Sequence, residues 1–189
     1  MATTFYLIRH GETEWNRNGR WQGHADVPLN EVGRAQARRL ARRLLDEDIR
    51  FDHIYASDLS RAFETAQIIA QALEIPVQPL RDLREIDIGM WSGLTRTEIT
   101  TRWPGAFETV LHPPNGEPRE AFGVRVGSAL LRLADQHPGE VLALVTHGGS
   151  IRAMLQQVYA LQGRPEQPVP TIGNTSICEV RRDADGWHI

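Results

Sequence analysis

Two apolar runs constrain this chain more than any other feature. TTFYLIR (residues 3–9) and VLALVT (residues 141–146) are dominated by aliphatic, aromatic and β-branched side chains. Runs of this length and type read as strands buried on both faces, as in a parallel sheet. Between and around them the apolar period changes to that of a helix. LNEVGRAQARRLARRLL (29–45) sets Ala37, Leu40, Ala41, Leu44 and Leu45 on one stripe behind an N-cap at Asn30. FDHIYAS (51–57) reads as a strand. DLSRAFETAQIIAQAL (58–73) reads as a helix capped by Asp58 or Ser60, with Ala62, Ala66, Ile69, Ala70 and Leu73 inside. VQPL (77–80) is an edge strand, because Pro79 cannot donate to a ladder on both sides.

Helices are further expected over 95–103, 120–137 and 150–161, and a closing hairpin joins 174–182 to the final WHI. The alternation predicts an α/β fold: three α/β/α layers around a central, mostly parallel sheet. The length of 189 residues suits one domain over 1–189. Two stretches, 11–28 and 107–118, read as long loops, which in a compact domain usually serve function. LREIDIGMWSG (83–93) follows neither period.

In open α/β sheets ligands bind beyond the carboxyl ends of the strands. The first strand runs into Arg9-His10-Gly11. The second runs into Ser57-Asp58, with Arg61 in the next helical turn. The VLALVT strand runs into His147-Gly148-Gly149. As parallel neighbours, these strands bring two histidines and two arginines to one edge. Arginine forks and helix N-termini make an anion site, and this density of positive charge suits a phosphoryl group. A neutral imidazole such as His10 is a competent nucleophile, and adjacent guanidinium groups keep it neutral.

Composition narrows the chemistry. All 21 strongly basic side chains are arginine, so Schiff-base chemistry, pyridoxal phosphate attachment and a P-loop lysine are excluded. A net charge of −3 gives no support to a nucleic-acid partner. No apolar run reaches the roughly 20 residues of a membrane span, and the N-terminus has no leader-like pattern, so a cytoplasmic location is expected. The single cysteine, Cys178, permits no internal disulfide and reads as a small core residue.

LIRHGETEWN, SDLSRAFETA, LREIDIGMWSG and LVTHGG occur in this order within residues 5–149. Together they resemble the histidine phosphatase (phosphoglycerate mutase-like) superfamily, most closely its broad-specificity phosphatases. The resemblance implies a phosphoglycerate mutase-like fold and a small phosphate ester as substrate. His10 matches the nucleophile that is phosphorylated during turnover. Arg9, Arg61 and His147 match the phosphate pocket, and Asn16 matches a polar residue beside it. Glu85 matches the acid that protonates the leaving oxygen; Asp82 and Asp87 are its rivals. Gly148 is counted with the substrate-binding residues. Gln22 and Gly23 read either as pocket lining or as a turn. Family members need no metal or other cofactor and occur as monomers or homodimers.

Other readings stand beside this one. Cofactor-dependent phosphoglycerate mutases carry an insertion after the glutamate motif with an ERxYG-like stretch, which TRTEITTRWPGAFETVLHPPNGEP does not contain. That favours hydrolysis over mutase activity. An α-ribazole phosphatase and a non-catalytic module that recognises phosphorylated ligands are further alternatives. A zinc hydrolase would use His10, His147 and Glu85 as ligands, against the repulsion of Arg9 and Arg61. Trp21, Met90, Trp91, Trp103, Phe107 and Phe122 are candidates for pocket walls, with core packing expected for at least half. His24, His53, His112, His137 and His188 carry no motif and read as surface or structural residues.

Overall fold

The computed structural model describes residues 2–107 and 113–189. In chain order the elements are β1 (Thr3–Arg9), α1 (Glu14–Arg17), α2 (Glu31–Asp46), β2 (His53–Ala56), α3 (Ser60–Leu73), β3 (Val77–Pro79), α4 (Arg96–Arg102), α5 (Arg119–Gln136), β4 (Val141–Thr146), α6 (Gly148–Leu161), β5 (Ile177–Asp183) and β6 (Gly186–His188). The sheet order is β3-β2-β4-β1-β5-β6. The first four in that order run parallel, and β5 and β6 add an antiparallel margin. This is the α/β architecture expected from the alternation of periods.

Alternate residues of the apolar runs serve opposite layers. Phe5, Leu7, Leu142 and Leu144 pack with Val126 and Leu130 of α5 and Ile151, Met154 and Val158 of α6. Ile8, Ala143 and Val145 face Leu40 and Leu44 of α2 and Ala66 and Ile69 of α3. A strand covered on both sides has no polar face, which is why these runs carry no alternation. Leu45, placed on the α2 stripe from sequence, is instead 43% exposed at the end of the helix.

Three strands end level. Val145 of β4 pairs with Ile8 of β1 on one side and Ala56 of β2 on the other. The residues that follow therefore emerge at one edge. Among the described residues, no helix is long and apolar enough to cross a membrane.

Several local expectations change. The loop 11–28 contains α1, closed by a reciprocal capping box between Thr13 and Asn16. Neither Asp58 nor Ser60 caps α3. The Ser60 amide donates to Asp26 Oδ1 at 2.7 Å, while Arg84 engages both oxygens of Asp58 at 2.6 Å. The α6 helix starts at Gly148, so His147 is its N-cap residue. The aperiodic 83–93 stretch overlaps two single-turn 3₁₀ helices, Arg81–Leu83 and Gly89–Trp91, too short to show a period. Residues 108–112, including His112, lie outside the described residues. The following segment packs on the 87–90 turn, with Met90 N donating to Pro114 O at 3.0 Å and Glu117 N to Asp87 O at 2.7 Å.

Candidate active site

The β-ladder carries His10 into place: its amide donates to Thr146 O at 2.9 Å, one residue beyond the paired Arg9 and Thr146. The chain then turns at Gly11 against the first turn of α2. A methyl on Gly11 would fall 2.5 Å from Gly33 O, and one on Gly33 would fall 2.1 Å from Glu12 O. Only two glycines permit that approach. The Gly11 amide donates to Thr65 Oγ1 at 3.0 Å, and that hydroxyl donates to Arg61 O at 2.7 Å. The turn after β1 is thus fastened to α3, which carries Arg61.

His10 is buried, and its Nδ1 lies 2.6 Å from Gly11 O. A carbonyl only accepts, so Nδ1 carries the hydrogen and Nε2 keeps its lone pair. His147 is also buried, with Nε2 at 2.8 Å from Ser57 Oγ. The two rings stand 5.1 Å apart at 63°. Burial, then the charges of Arg61 and Arg9, hold the His10 imidazole well below the ordinary histidine range. Burial and Arg61 do the same to His147.

Arg61 is almost fully buried, donating Nη1 to Ala25 O and Nη2 to Gly23 O, both at 2.8 Å. Burial lowers its pKa to about 10, so it stays charged at neutral pH. Arg9 donates Nη1 to Ile172 O at 2.6 Å. Among the described residues five buried side-chain polar atoms find no partner; Ser60 Oγ and Trp91 Nε1 lie elsewhere, and the other three are Arg9 Nε, Arg61 Nε and His147 Nδ1. Their residues line a single cavity of about 450 Å³, together with His10, Asn16, Gln22, Gly23, Glu85, Gly148 and Gly149. An unsatisfied buried donor costs about 1–3 kcal/mol, so the two guanidinium Nε–H groups facing one cavity mark where an anion would be received.

Glu85 enters the same cavity from the segment after β3. Its Oε2 accepts from the Gly149 amide at 2.8 Å and its Oε1 from the Ile86 amide at 3.0 Å. The rivals stand elsewhere. Asp82 pairs with Arg132 at 2.7 Å, and Asp87 accepts from the Gly89 amide at 3.0 Å. The backbone around Glu85 is held by side chains of which only Thr146 belongs to the four motifs. Arg125 of α5 donates Nη1 to Asp82 O and Arg84 O and Nη2 to Glu85 O. Thr146 Oγ1 donates to Leu83 O, Ser150 Oγ to Arg84 O, and His24 Nε2 lies 2.9 Å from Glu85 O. His24, read from sequence as a surface or structural residue, belongs to this support.

The open alternatives resolve by combination. Asn16 both caps α1 and lines the cavity, its Oδ1 lying 3.1 Å from Thr13 Oγ1. Gln22 and Gly23 line the cavity from the turn they form; Gln22 Oε1 lies 3.1 Å from Thr13 Oγ1. Of the six aromatic and methionine candidates, Trp21 lines this cavity. Trp91, Trp103 and Phe107 form a separate small core with Ile88 and Ile99, Phe122 joins the main core, and Met90 is exposed. Trp91 and Phe122 also border an adjoining apolar depression of about 380 Å³ that shares Trp21, Ile86, Ile88 and Gly149 with the cavity. His10, His147 and Glu85 do not bring their donor atoms within 4.8 Å of one another as a ligand set.

The model of the histidine phosphatase superfamily (branch 1) matches residues 5–189. The chain belongs to the histidine phosphatase superfamily. It is 42% identical over 193 residues to phosphoglycerate mutase-like protein 4 of Arabidopsis thaliana, covering 97% of this chain and 81% of the relative. It is 38% identical over 165 residues to a metal-independent phosphoserine phosphatase of the same plant, covering 83% of this chain and 69% of the relative. Among solved structures, a mycobacterial glucosyl-3-phosphoglycerate phosphatase in complex with VO3 superposes with a TM-score of 0.86 at 29% identity, covering 98% of this chain and 96% of that one. The superfamily, the phosphatase class and the phosphoglycerate mutase-like fold expected from the four motifs are those found.

Proposed function

We propose that the protein is a metal-independent phosphomonoester hydrolase of broad specificity that works through a phosphohistidine on His10. The observation that carries this is the set of three unpartnered buried nitrogens, two of them guanidinium donors, around one cavity that also holds the free lone pair of His10 Nε2.

His10 Nε2 attacks phosphorus as the ester P–O bond breaks. Glu85, on the same cavity, gives a proton to the departing oxygen. Charge on the equatorial phosphoryl oxygens is met by Arg9, Arg61 and His147, the work a metal does in other phosphoryl-transfer sites. In the second half, the Glu85 carboxylate takes a proton from water as that water attacks phosphorus. The P–N bond breaks, and His10 is returned neutral with phosphate. The tautomer fixed by Gly11 O serves both halves, since Nδ1 keeps its hydrogen throughout.

The relative named metal-independent supports the reading without a metal. The name of the phosphoglycerate mutase-like relative favours a second reading, transfer of the phosphoryl group back to a glycerate. Phosphate release from p-nitrophenyl phosphate and from 3-phosphoglycerate, in EDTA, separates them. Release by the wild type that disappears in His10→Ala supports the hydrolase. Conversion of 3-phosphoglycerate to 2-phosphoglycerate on adding 2,3-bisphosphoglycerate, without phosphate release, supports the mutase.

A further inference from the structure

His53, His137 and Glu140 gather at the opposite end of the sheet from the cavity. His53 opens β2, which reaches Ser57 about 13 Å further along at about 3.3 Å per residue. His137 follows α5, and Glu140 precedes β4. One ligand atom from each lies within 4.8 Å of the other two. Glu140 Oε2 stands 2.6 Å from His137 Nδ1 and 3.1 Å from His53 Nε2. The ring centroids are 4.4 Å apart.

The rear nitrogen of each ring is also held. His137 Nε2 lies 3.0 Å from the Tyr55 hydroxyl, and His53 Nδ1 lies 3.4 Å from the Gln78 amide nitrogen. A carboxylate only accepts, so the ring nitrogens facing Glu140 carry hydrogen, and Tyr55 and Gln78 donate from behind. Two imidazoles turned toward one carboxylate, each braced at its far nitrogen, is the arrangement metal-binding histidines adopt.

We propose that His53, His137 and Glu140 bind a first-row transition ion, zinc foremost. Two imidazoles and one carboxylate are a borderline-soft donor set that suits zinc over magnesium or calcium. Tetrahedral ligands about 2.1 Å from zinc stand about 3.4 Å apart. The two observed pairs open by less than about 1 Å to admit the ion, and all three residues are only partly buried, so their side chains have room to move. The ring hydrogens move to the rear nitrogens. There the Tyr55 oxygen accepts one, and the Gln78 amide turns its oxygen to accept the other. A water completes the fourth position. The ion ties the starts of β2 and β4 to the end of α5 and leaves the catalytic edge untouched.

The test uses the full chain, stripped with EDTA and desalted, titrated with Co²⁺ by visible absorption and with Zn²⁺ against a chromophoric chelator. Wild type and His10→Ala bind one equivalent. Glu140→Gln, which keeps the shape of the carboxylate, and His53→Gln each weaken binding by more than about 100-fold, and Tyr55→Phe weakens it by about tenfold. No saturable binding by the wild type overturns the proposal. So does binding that survives Glu140→Gln and His53→Gln, including binding lost only in His10→Ala, which would put the ion in the catalytic cavity.

Discussion

Glu85 and Gly149 fit together only because residue 149 has no side chain. The Gly149 amide donates to Glu85 Oε2 at 2.8 Å, and a methyl on its Cα would fall 2.2 Å from Oε1. The carboxyl group therefore owes its place to the first turn of α6. Gly149→Ala must displace it while leaving Arg9, Arg61 and His10 in place. General acid catalysis is worth about 10²–10⁴-fold, so turnover of alkyl phosphates is expected to fall by about 10²-fold in Gly149→Ala. p-Nitrophenyl phosphate has a leaving group that needs little protonation, so its first half-reaction, read as the burst of p-nitrophenol, slows by less than about tenfold even where loss of the Glu85 base slows the shared second half. Single-turnover rates across a leaving-group series measure this; equal losses in the first half-reaction on both substrates would remove Glu85 from the role of acid.

Acid should destabilise the fold through its two buried histidines. His10 and His147 have folded pKa values well below the ordinary histidine range, chiefly from burial. Unfolded histidines titrate near 6.5, so below that pH the unfolded state binds more protons than the folded one. Their stabilisation is complete above about pH 6.5 and is lost as pH falls below it, each histidine taking up to about 1.4 kcal/mol per pH unit. Urea unfolding at pH 7.5 and 5.5 tests this, in a range above most carboxylate titration. His147→Gln is expected to shrink the difference between the two pH values; an unchanged difference contradicts the buried-neutral assignment.

Arg125 should matter to both stability and rate. It holds three backbone carbonyls beside Glu85 and pairs with Glu117 at 2.7 Å, the two side chains being 21% and 18% exposed. Arg125→Met strands those acceptors and is expected to cost about 3 kcal/mol in chemical denaturation. Because the proposed phosphate pocket is built from other elements, kcat should drop with KM nearly unchanged. A stability loss with normal kcat in the folded fraction would restrict Arg125 to a structural part.

The fold was legible where burial leaves a local pattern. The two uninterrupted apolar runs became adjacent strands β1 and β4, and the stripe at Ala37, Leu40, Ala41 and Leu44 became the buried face of α2. The gathering of the candidate site residues was legible because three parallel strands end level, so residues next to strand ends in sequence are neighbours in space. What escaped depends on distant partners. Asp26 meets the start of α3 from 34 residues away, and Arg125 reaches Glu85 O across 40. Neither leaves a periodic trace. The α1 helix escaped because asparagine stands at the third position of its capping box, where glutamate or glutamine is the usual signal. His24 supports the site from outside the four motifs, and Thr65, although inside SDLSRAFETA, does so through a contact with Gly11 that lies 54 residues away in sequence.

In the proposed mechanism His10 carries the phosphoryl group between the two half-reactions. The most direct test mixes Glu85→Gln with p-nitrophenyl phosphate, quenches into alkali, which preserves phosphohistidine, and maps the peptides by mass spectrometry. One phosphoryl group per chain on the peptide containing His10, absent from a His10→Ala/Glu85→Gln control, is the predicted result. Steady release of phosphate with no label on His10, or a label on another residue that persists in the control, would contradict it.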